Sequence, residues 1–201
     1  MEKVNVIVGR FQPFTLGHIK GAEEVWKKYH LKTVFLIIDT PQAKTDSRHP
    51  FPSDTIIKDN IDCDEKWMGG MYPIKNADIG KIASICREHG YEPVMWTCGT
   101  DRVKAYSFQV QEKYIKMYDL DPDFKINEIR RGDEDISATA VRQSLKADDR
   151  GEFQKMMPRW AWDCFDDYRN IILSVKESKE SIKESIKESR MMSLREFIIN
   201  Q

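Results

Sequence analysis

The stretch GRFQPFTLGH, Gly9 to His18, joins two segments of different pattern and decides the fold of this chain. The five residues before it, VNVIV (Val4–Val8), are mostly β-branched and uncharged, which is typical of a buried strand. The segment Gly17–Tyr29 spaces its apolar residues at helical intervals, which predicts an amphipathic helix. The stretch therefore connects the carboxyl end of a strand to the amino end of a helix. Open α/β sheets bind ligands there, and the free N–H groups of a helix start attract anions.

Strand and helix patterns alternate along the rest of the chain. After the first strand, the sequence predicts strands at Thr33–Ile38, Pro93–Cys98 and Phe124–Ile129. The predicted helices are Gly17–Tyr29, Ser53–Asn60, Asp78–His89 and Arg102–Tyr118. From Ser137 onward the pattern is helical. This alternation predicts an α/β protein with a mainly parallel sheet flanked by helices, followed by a helical C-terminal extension.

Composition excludes several classes of protein. The 201 residues carry 32 basic and 33 acidic side chains, which argues against a general nucleic-acid binder but allows a local cationic pocket. The four cysteines form no C-x-x-C pair, so we expect neither a zinc site nor a disulfide framework. The first residues lack a signal-peptide pattern, and no apolar run reaches membrane-spanning length. We therefore expect a cytoplasmic protein with neither nucleic acid nor membrane as a partner.

The opening turn contains residues suited to a phosphate-bearing ligand. Gly9 allows close approach of a ligand to the backbone, and Arg10 offers a planar fork that matches phosphate oxygens. Pro13 stiffens the turn, while Thr15 and His18 lie three residues apart around the helix start and share a face. The alternative is an ordinary strand–helix connection with a capping threonine and an incidental histidine.

A second stretch, DEDISATAVRQSL (Asp133–Leu145), has a similar character. Ser137 and Thr139 are cap-type residues that open a helix, and Arg142 lies one turn later on the same side as Thr139. Free N–H groups, a hydroxyl and a guanidinium together form a potential second phosphate site. The alternative is a plain capped helix.

Taken together, these stretches resemble the two signatures of the nucleotidyltransferase superfamily, (H/T)-x-G-H and I-S-S-T-x-x-R. The sequence GRFQPF (Gly9–Phe14) is most similar to the corresponding motif of NMN adenylyltransferases of the archaeal type and of related phage proteins. The resemblance covers about Met1–Asn170 and implies a Rossmann-like nucleotidyltransferase fold. Two positions depart from the signatures: Thr15 stands where the first histidine is usual, and Ala138 where the second serine is. Threonine keeps a hydroxyl donor but carries no charge, which leaves the substrate open.

Two further segments add to the expected site. CGTDRV (Cys98–Val103) follows a predicted strand and resembles the G-(S/T)-D-R turn of the superfamily; the alternative is a capping aspartate with a surface arginine. The polar loop Asp39–Asp54 contains Lys44, Arg48 and His49 and is expected to close over a polyphosphate. A merely solvated loop is the alternative.

The resemblance implies transfer of a nucleoside monophosphate from a nucleoside triphosphate to a phosphorylated acceptor, with ATP and NMN giving NAD as the leading pair. It assigns catalytic roles to His18 and Thr15 at the α- and β-phosphates, and to Arg142 at the β- and γ-phosphates. The residues expected to bind the nucleotide are Gly9, Arg10, Phe11, Gly17, Gly99, Asp101, Arg102, Ser137 and Thr139. Mg²⁺ is expected to bind mainly through the triphosphate, without protein metal ligands.

Two other functions remain open at this point. CTP with a phosphorylated alcohol would use the same site. The chain could also be a non-catalytic nucleotide-binding protein. In that case Thr15 would mark the loss of activity, and the tail would be the functional part.

The last part of the chain differs from the rest. We place a domain boundary after Asn170, so that residues 1–170 form the nucleotidyltransferase domain and residues 171–201 form a tail rich in Lys, Glu and Ser. Its alternating charges are typical of a solvated helix, and the alternative is a helix that docks on a partner subunit. Because the superfamily often forms symmetric oligomers, we expect a homo-oligomer.

Overall fold

In the computed structural model of this chain, residues 1–39, 46, 48–60, 63–129 and 136–175 are described. Their strands are β1 (Glu2–Gly9), β2 (Lys32–Ile38), β3 (Met68–Ile74), β4 (Tyr91–Gly99) and β5 (Lys125–Ile129). The helices before β5 are α1 (Leu16–Tyr29), α2 (Ser53–Asn60), α3 (Ile79–Glu88), α4 (Thr100–Ser107) and α5 (Glu112–Met117). After it come α6 (Ala138–Ala147), α7 (Arg150–Met156), a 3₁₀ helix (Arg159–Cys164) and helical residues 165–175, named α8 here.

β1 lies at the centre of a five-stranded parallel sheet with the strand order β3-β2-β1-β4-β5. Val6 pairs with Val34 on one side and with Trp96 on the other, and all three side chains are fully buried. The chain adds β2 and β3 on one side of β1 and then returns to add β4 and β5 on the other. A crevice therefore opens at the carboxyl ends of β1 and β4, where the direction of winding reverses. The predicted α/β class with a parallel sheet is confirmed.

The sequence patterns miss one strand, β3. Its sequence, MGGMYPI, contains two adjacent glycines and Pro73, which all disfavour a strand. The strand is possible because β3 lies at the edge of the sheet, where the missing N–H of a proline can face away from the ladder. Gly70 has a φ of 133°, a conformation that side chains rarely adopt.

The prediction of one helix from Arg102 to Tyr118 is wrong, because the structure has α4 and α5 separated by residues 108–111. Gln109, in this break, accepts a hydrogen bond from the Ile79 N–H and donates one to the Ala77 carbonyl oxygen. These bonds attach the break to the start of α3. A continuous helix would leave them unmade.

Two apolar layers cover the sheet. On one face Phe35 and Ile37 pack with residues of α1, α2, α6, α7 and α8. On the other face Val34 and Leu36 pack with residues of α3, α4 and α5. Phe153, Phe165 and Tyr168 of the C-terminal extension belong to the first layer and are fully or almost fully buried. The helical extension is thus part of the main core.

The boundary after Asn170 and the homo-oligomer stay predictions of the sequence. Helical backbone continues to residue 175, and Ile172 and Val175 are almost fully buried. Residues 176–201, which make up most of the predicted tail, lie outside the described residues. In the described part of the chain, no helix is both long and apolar enough to cross a membrane.

A row of buried polar side chains crosses the sheet on the face that α1 covers. The Asn127 amide donates to the Thr97 hydroxyl (3.0 Å), and that hydroxyl donates to Asn5 Oδ1 (2.6 Å). The Asn5 amide then donates to the Thr33 hydroxyl at 3.0 Å. Asn5, Thr33 and Thr97 are at most 1% exposed. Because a slipped strand would leave these groups unpaired, the row specifies the register of β2, β1, β4 and β5.

We expect Asn5→Ala to lower the free energy of unfolding by about 2–4 kcal/mol, because it removes the middle of a buried network. Asn127→Ala, at the half-buried end of the row, removes one bond and should cost about 1 kcal/mol. Urea denaturation of both variants measures the difference. Equal losses would contradict the role given to Asn5.

Candidate active site

The stretch Gly9–His18 forms the turn between β1 and α1, as predicted. Thr15 is the N-cap of α1 and is fully buried. Its backbone N–H donates to Nδ1 of His18 at 3.0 Å, and its hydroxyl oxygen also lies 3.0 Å from this nitrogen. Since a backbone N–H can only donate, Nδ1 is the acceptor and a neutral ring carries its proton on Nε2. The first helical turn thus fixes which nitrogen of His18 can donate to a ligand.

Two aromatic rings set the orientation of the His18 imidazole. Phe14 lies nearly parallel to it, with 5.5 Å between ring centroids, and Phe11 meets it edge-on at 4.9 Å. Phe11 has a positive φ of 48° and is 5% exposed, and its ring also packs on Phe35. Phe11 therefore packs between the His18 ring and the core residue Phe35. A Cβ atom at Gly9 would lie 3.2 Å from that ring, so any larger residue there would press on Phe11.

The second stretch opens α6 as the sequence predicts. Ser137 is the N-cap, and its hydroxyl oxygen accepts a hydrogen bond from the Ala140 N–H at 3.0 Å. Nη2 of Arg142 donates to the Thr139 hydroxyl oxygen at 3.0 Å, which confirms that these two side chains share a face. The half-buried guanidinium has a lowered pKa because burial disfavours its charge, an effect that the Asp46 carboxylate partly offsets.

The two stretches contact each other at two points. Nη1 of Arg142 donates to the Gln12 carbonyl oxygen. A Cβ atom at Gly17 would lie 3.0 Å from the Ile136 carbonyl oxygen, so any larger residue there would press on the segment before α6. The two helix starts, the imidazole and the guanidinium are thereby brought to one end of the sheet. N–H groups and a cation in this arrangement can bind phosphate oxygens.

The third segment lies at the carboxyl end of β4. Gly99 is the N-cap of α4, and the exposed side chains of Asp101 and Arg102 form an ion pair with 3.2 Å between Oδ2 and Nε. The Thr100 hydroxyl donates to a carboxylate oxygen of Glu128, a contact with β5 that the sequence did not indicate. Because β4 is the neighbour of β1, this segment borders the crevice. None of these contacts joins it to His18 or Arg142.

The loop after β2 is described only in part. Lys44 lies outside the described residues. The Arg48 side chain is 84% exposed, and its backbone N–H donates to Asp46. Hydrogen bonds from His49 and from this N–H lower the pKa of Asp46 to about 2. The Asp46 carboxylate therefore stays ionised and acts on the charge of Arg142, an interaction that the sequence did not indicate.

Arg10, the remaining residue predicted to bind the nucleotide, is exposed just after the end of β1.

The most buried polar contact of the site was also not predicted. The Gln12 side chain, 4% exposed, donates to the Phe51 carbonyl oxygen at 2.6 Å and accepts from the Phe51 N–H at 2.8 Å. A glutamine in a turn gives no periodic signal, and its polarity alone suggests exposure.

Among the described residues no group of three His, Cys, Asp or Glu side chains could hold a metal ion.

Comparisons with known proteins agree with this geometry. The sequence matches the cytidylyltransferase-like family over residues 6–144, a range that includes the first stretch and all of the second except its last residue, Leu145. A search of curated protein sequences gives no significant match.

Solved structures share the fold at low sequence identity. Two structures of Plasmodium falciparum nicotinic acid mononucleotide adenylyltransferase, complexed with APC and with NaAD, have TM-scores of 0.51 and 0.52 and 14% identity. Each covers 85% of this chain and 98% of its own. Thermotoga maritima TmcAL bound with alpha-thio ATP has a TM-score of 0.55 and 11% identity, covering 85% of this chain and 56% of its own. The family match over residues 6–144 covers more than half of this chain. The chain therefore belongs to the cytidylyltransferase-like family of nucleotidyltransferases.

Proposed function

We propose that this protein transfers the adenylyl group of ATP to NMN, giving NAD and pyrophosphate. The observation that carries the proposal is the contact between the two signature stretches, in which the Arg142 guanidinium donates to the Gln12 carbonyl oxygen. This contact puts a cation beside the turn that leads into α1 and His18. The ligands named for the similar structures, APC, NaAD and alpha-thio ATP, support an adenine nucleotide as substrate.

The reaction needs no nucleophile from the protein. A phosphate oxygen of NMN, already ionised at neutral pH, attacks the α-phosphorus of ATP in line. A new P–O bond forms there, the bond between the α-phosphorus and the bridging oxygen breaks, and its electron pair leaves with pyrophosphate. The task of the protein is to align the two phosphates and to stabilise the charge that builds up on the phosphoryl oxygens.

The residues divide this task. Nε2–H of His18 donates to an oxygen at the α- and β-phosphates, and Thr15 acts as a positioning residue because it is buried behind the ring. Arg142 and the N–H groups at the start of α6 bind the β- and γ-phosphates. Asp101 is exposed at the crevice and suited to accept hydrogen bonds from a ribose. Mg²⁺ binds mainly to the triphosphate, where it neutralises charge.

Two variants of the reaction have specific support. Nicotinic acid mononucleotide as acceptor is favoured by the name of the Plasmodium neighbours. CTP with a phosphorylated alcohol is favoured by the name of the matched family. The same phosphate-binding groups would serve all three reactions.

Pyrophosphate release from the pure protein with Mg²⁺ separates these reactions. We expect release with ATP and NMN, and less with ATP and nicotinic acid mononucleotide. Preference for the second acceptor would change the assigned substrate. Release only with CTP and glycerol phosphate would replace the proposal, and no release with any pair would favour a nucleotide-binding protein.

His18→Asn tests the imidazole. We expect kcat to fall about 10²–10³-fold with a smaller change in KM, because the variant loses the Nε2–H donor of the transition state. The asparagine oxygen can still accept from the Thr15 N–H, so the melting temperature should change little. His30→Asn, the same substitution at the other end of α1, is the matched control and should keep its turnover. Equal activity of both variants would remove His18 from the mechanism.

Arg142→Lys tests the guanidinium. A lysine keeps the charge but loses the fork, so we expect the Kd for ATP to rise about tenfold, and further with Arg142→Ala. Arg150→Lys, which alters an exposed arginine paired with Asp166, is the control. Calorimetric titration with ATP measures all three. Unchanged affinity in both Arg142 variants would show that α6 does not bind the triphosphate.

A further inference from the structure

We propose that Gln12 is a positioning residue of this site: its side-chain amide fixes the peptide unit whose carbonyl oxygen orients Arg142 and joins that unit to the loop after β2. This inference rests on the proposed function, because it concerns how the triphosphate-binding arginine is held. Gln12 itself need not contact the substrate.

The first step is the anchoring of the amide. Nε2 of Gln12 donates to the carbonyl oxygens of Phe51 (2.6 Å) and Arg10 (3.2 Å), while Oε1 accepts from the Phe51 N–H at 2.8 Å. Both N–H groups of the amide are therefore used, and so is its oxygen. The pair of bonds to Phe51 is like one rung of a sheet ladder. A buried side chain held in this way has a single orientation.

The second step is the effect on Arg142. One N–H of Nη1 points at the Gln12 carbonyl oxygen, and one N–H of Nη2 points at the Thr139 hydroxyl. A guanidinium has five N–H groups, so two bonds can fix its plane while others are left for phosphate oxygens. The position of the Gln12 peptide therefore decides where Arg142 presents its charge.

The third step is the support behind Phe51. The Phe51 ring is fully buried and packs on Tyr168 of α8, with 4.8 Å between ring centroids. Tyr168 is also fully buried. A continuous series of contacts therefore runs from α8 through Phe51 and Gln12 to Arg142.

The chain offers a matched control for this arrangement. Gln109 also bridges a backbone N–H and a backbone carbonyl oxygen, accepting from the Ile79 N–H at 3.0 Å and donating to the Ala77 carbonyl oxygen at 2.9 Å. Its partners lie at the start of α3, on the other face of the sheet from Gln12 and α1. Loss of either glutamine removes a bridge between a backbone N–H and a backbone carbonyl oxygen, and loss of Gln12 also removes its bond to the Arg10 carbonyl oxygen. Of the two, only Gln12 bonds to Arg142, through its own carbonyl oxygen.

The experiment compares Gln12→Leu with Gln109→Leu in the full chain. Both should lower the melting temperature, because each removes hydrogen bonds to a backbone N–H and to a backbone carbonyl oxygen. We expect kcat/KM for ATP to fall about 10²-fold in Gln12→Leu, the size of effect that a small displacement of a catalytic group produces. In Gln109→Leu it should stay within about threefold of wild type. Equal kinetic effects of the two variants would overturn the proposal.

A double-mutant cycle with Arg142→Lys tests whether Gln12 acts through Arg142. If the arginine is already misplaced in Gln12→Leu, the lysine substitution should cost less than half of its wild-type fold-change. Independent effects that simply multiply would mean that Gln12 acts on stability alone. Should Gln12→Leu not fold, Gln12→Glu and Gln109→Glu replace the pair, since glutamate can accept from the N–H but cannot donate.

A binding measurement separates failure of this inference from failure of the proposed function. If the wild type releases no pyrophosphate with any acceptor, the adenylyltransferase is refuted, and calorimetric titration with inorganic tripolyphosphate still tests Gln12. Weaker binding in Gln12→Leu but not in Gln109→Leu supports the positioning role. Equal binding by the two variants, or no binding by the wild type, overturns it.

Discussion

The hydrogen bond from the Arg142 guanidinium to the Gln12 carbonyl oxygen joins segments that lie 130 residues apart in the chain. These segments can meet because β1 and β5 run parallel and end at the same side of the sheet, with β4 alone between them. The bond also satisfies a carbonyl group in a buried turn, which would otherwise cost free energy. This one contact thus pairs a carbonyl group of the turn after β1 and orients the Arg142 guanidinium.

The charge pattern of the protein favours an anionic ligand at this place. The net charge is −1, and several cations are neutralised by direct partners, such as Arg87 by Glu92 and Lys3 by Asp121. Within the described residues, Arg142 instead bonds to two uncharged oxygens and forms no ion pair. Its charge therefore stays available to phosphate groups. Because the pKa of Asp46 is about 2, its carboxylate stays ionised throughout the physiological pH range and favours the charged form of the Arg142 guanidinium.

Much of the fold could be predicted from the sequence, because buried parallel strands and amphipathic helices have strong periodic patterns. β3 was missed since Gly69, Gly70 and Pro73 contradict strand propensity, and only its place at the sheet edge makes it possible. In the site, the capping of α1 and α6 followed from local chemistry.

The contacts that complete the site could not be predicted from local sequence chemistry. Gln12 with Phe51, and Thr100 with Glu128, are bonds between segments distant in sequence, and a single chain carries no periodic signal for them. Burial of the Gln12 amide depends on how two loops meet in three dimensions. Local rules cannot give that.

The central place of β1 has a consequence for biosynthesis. β1 can pair with β2 soon after both strands are synthesised. Its other edge can pair only after β4 is synthesised, because Thr97 of β4 lies 92 residues after its partner Asn5. While the ribosome makes the intervening segment, an apolar strand edge stays open to neighbouring nascent chains. We therefore expect a polypeptide released before β4 is made to need a chaperone, and slow translation between β3 and β4 to lower the yield of native protein.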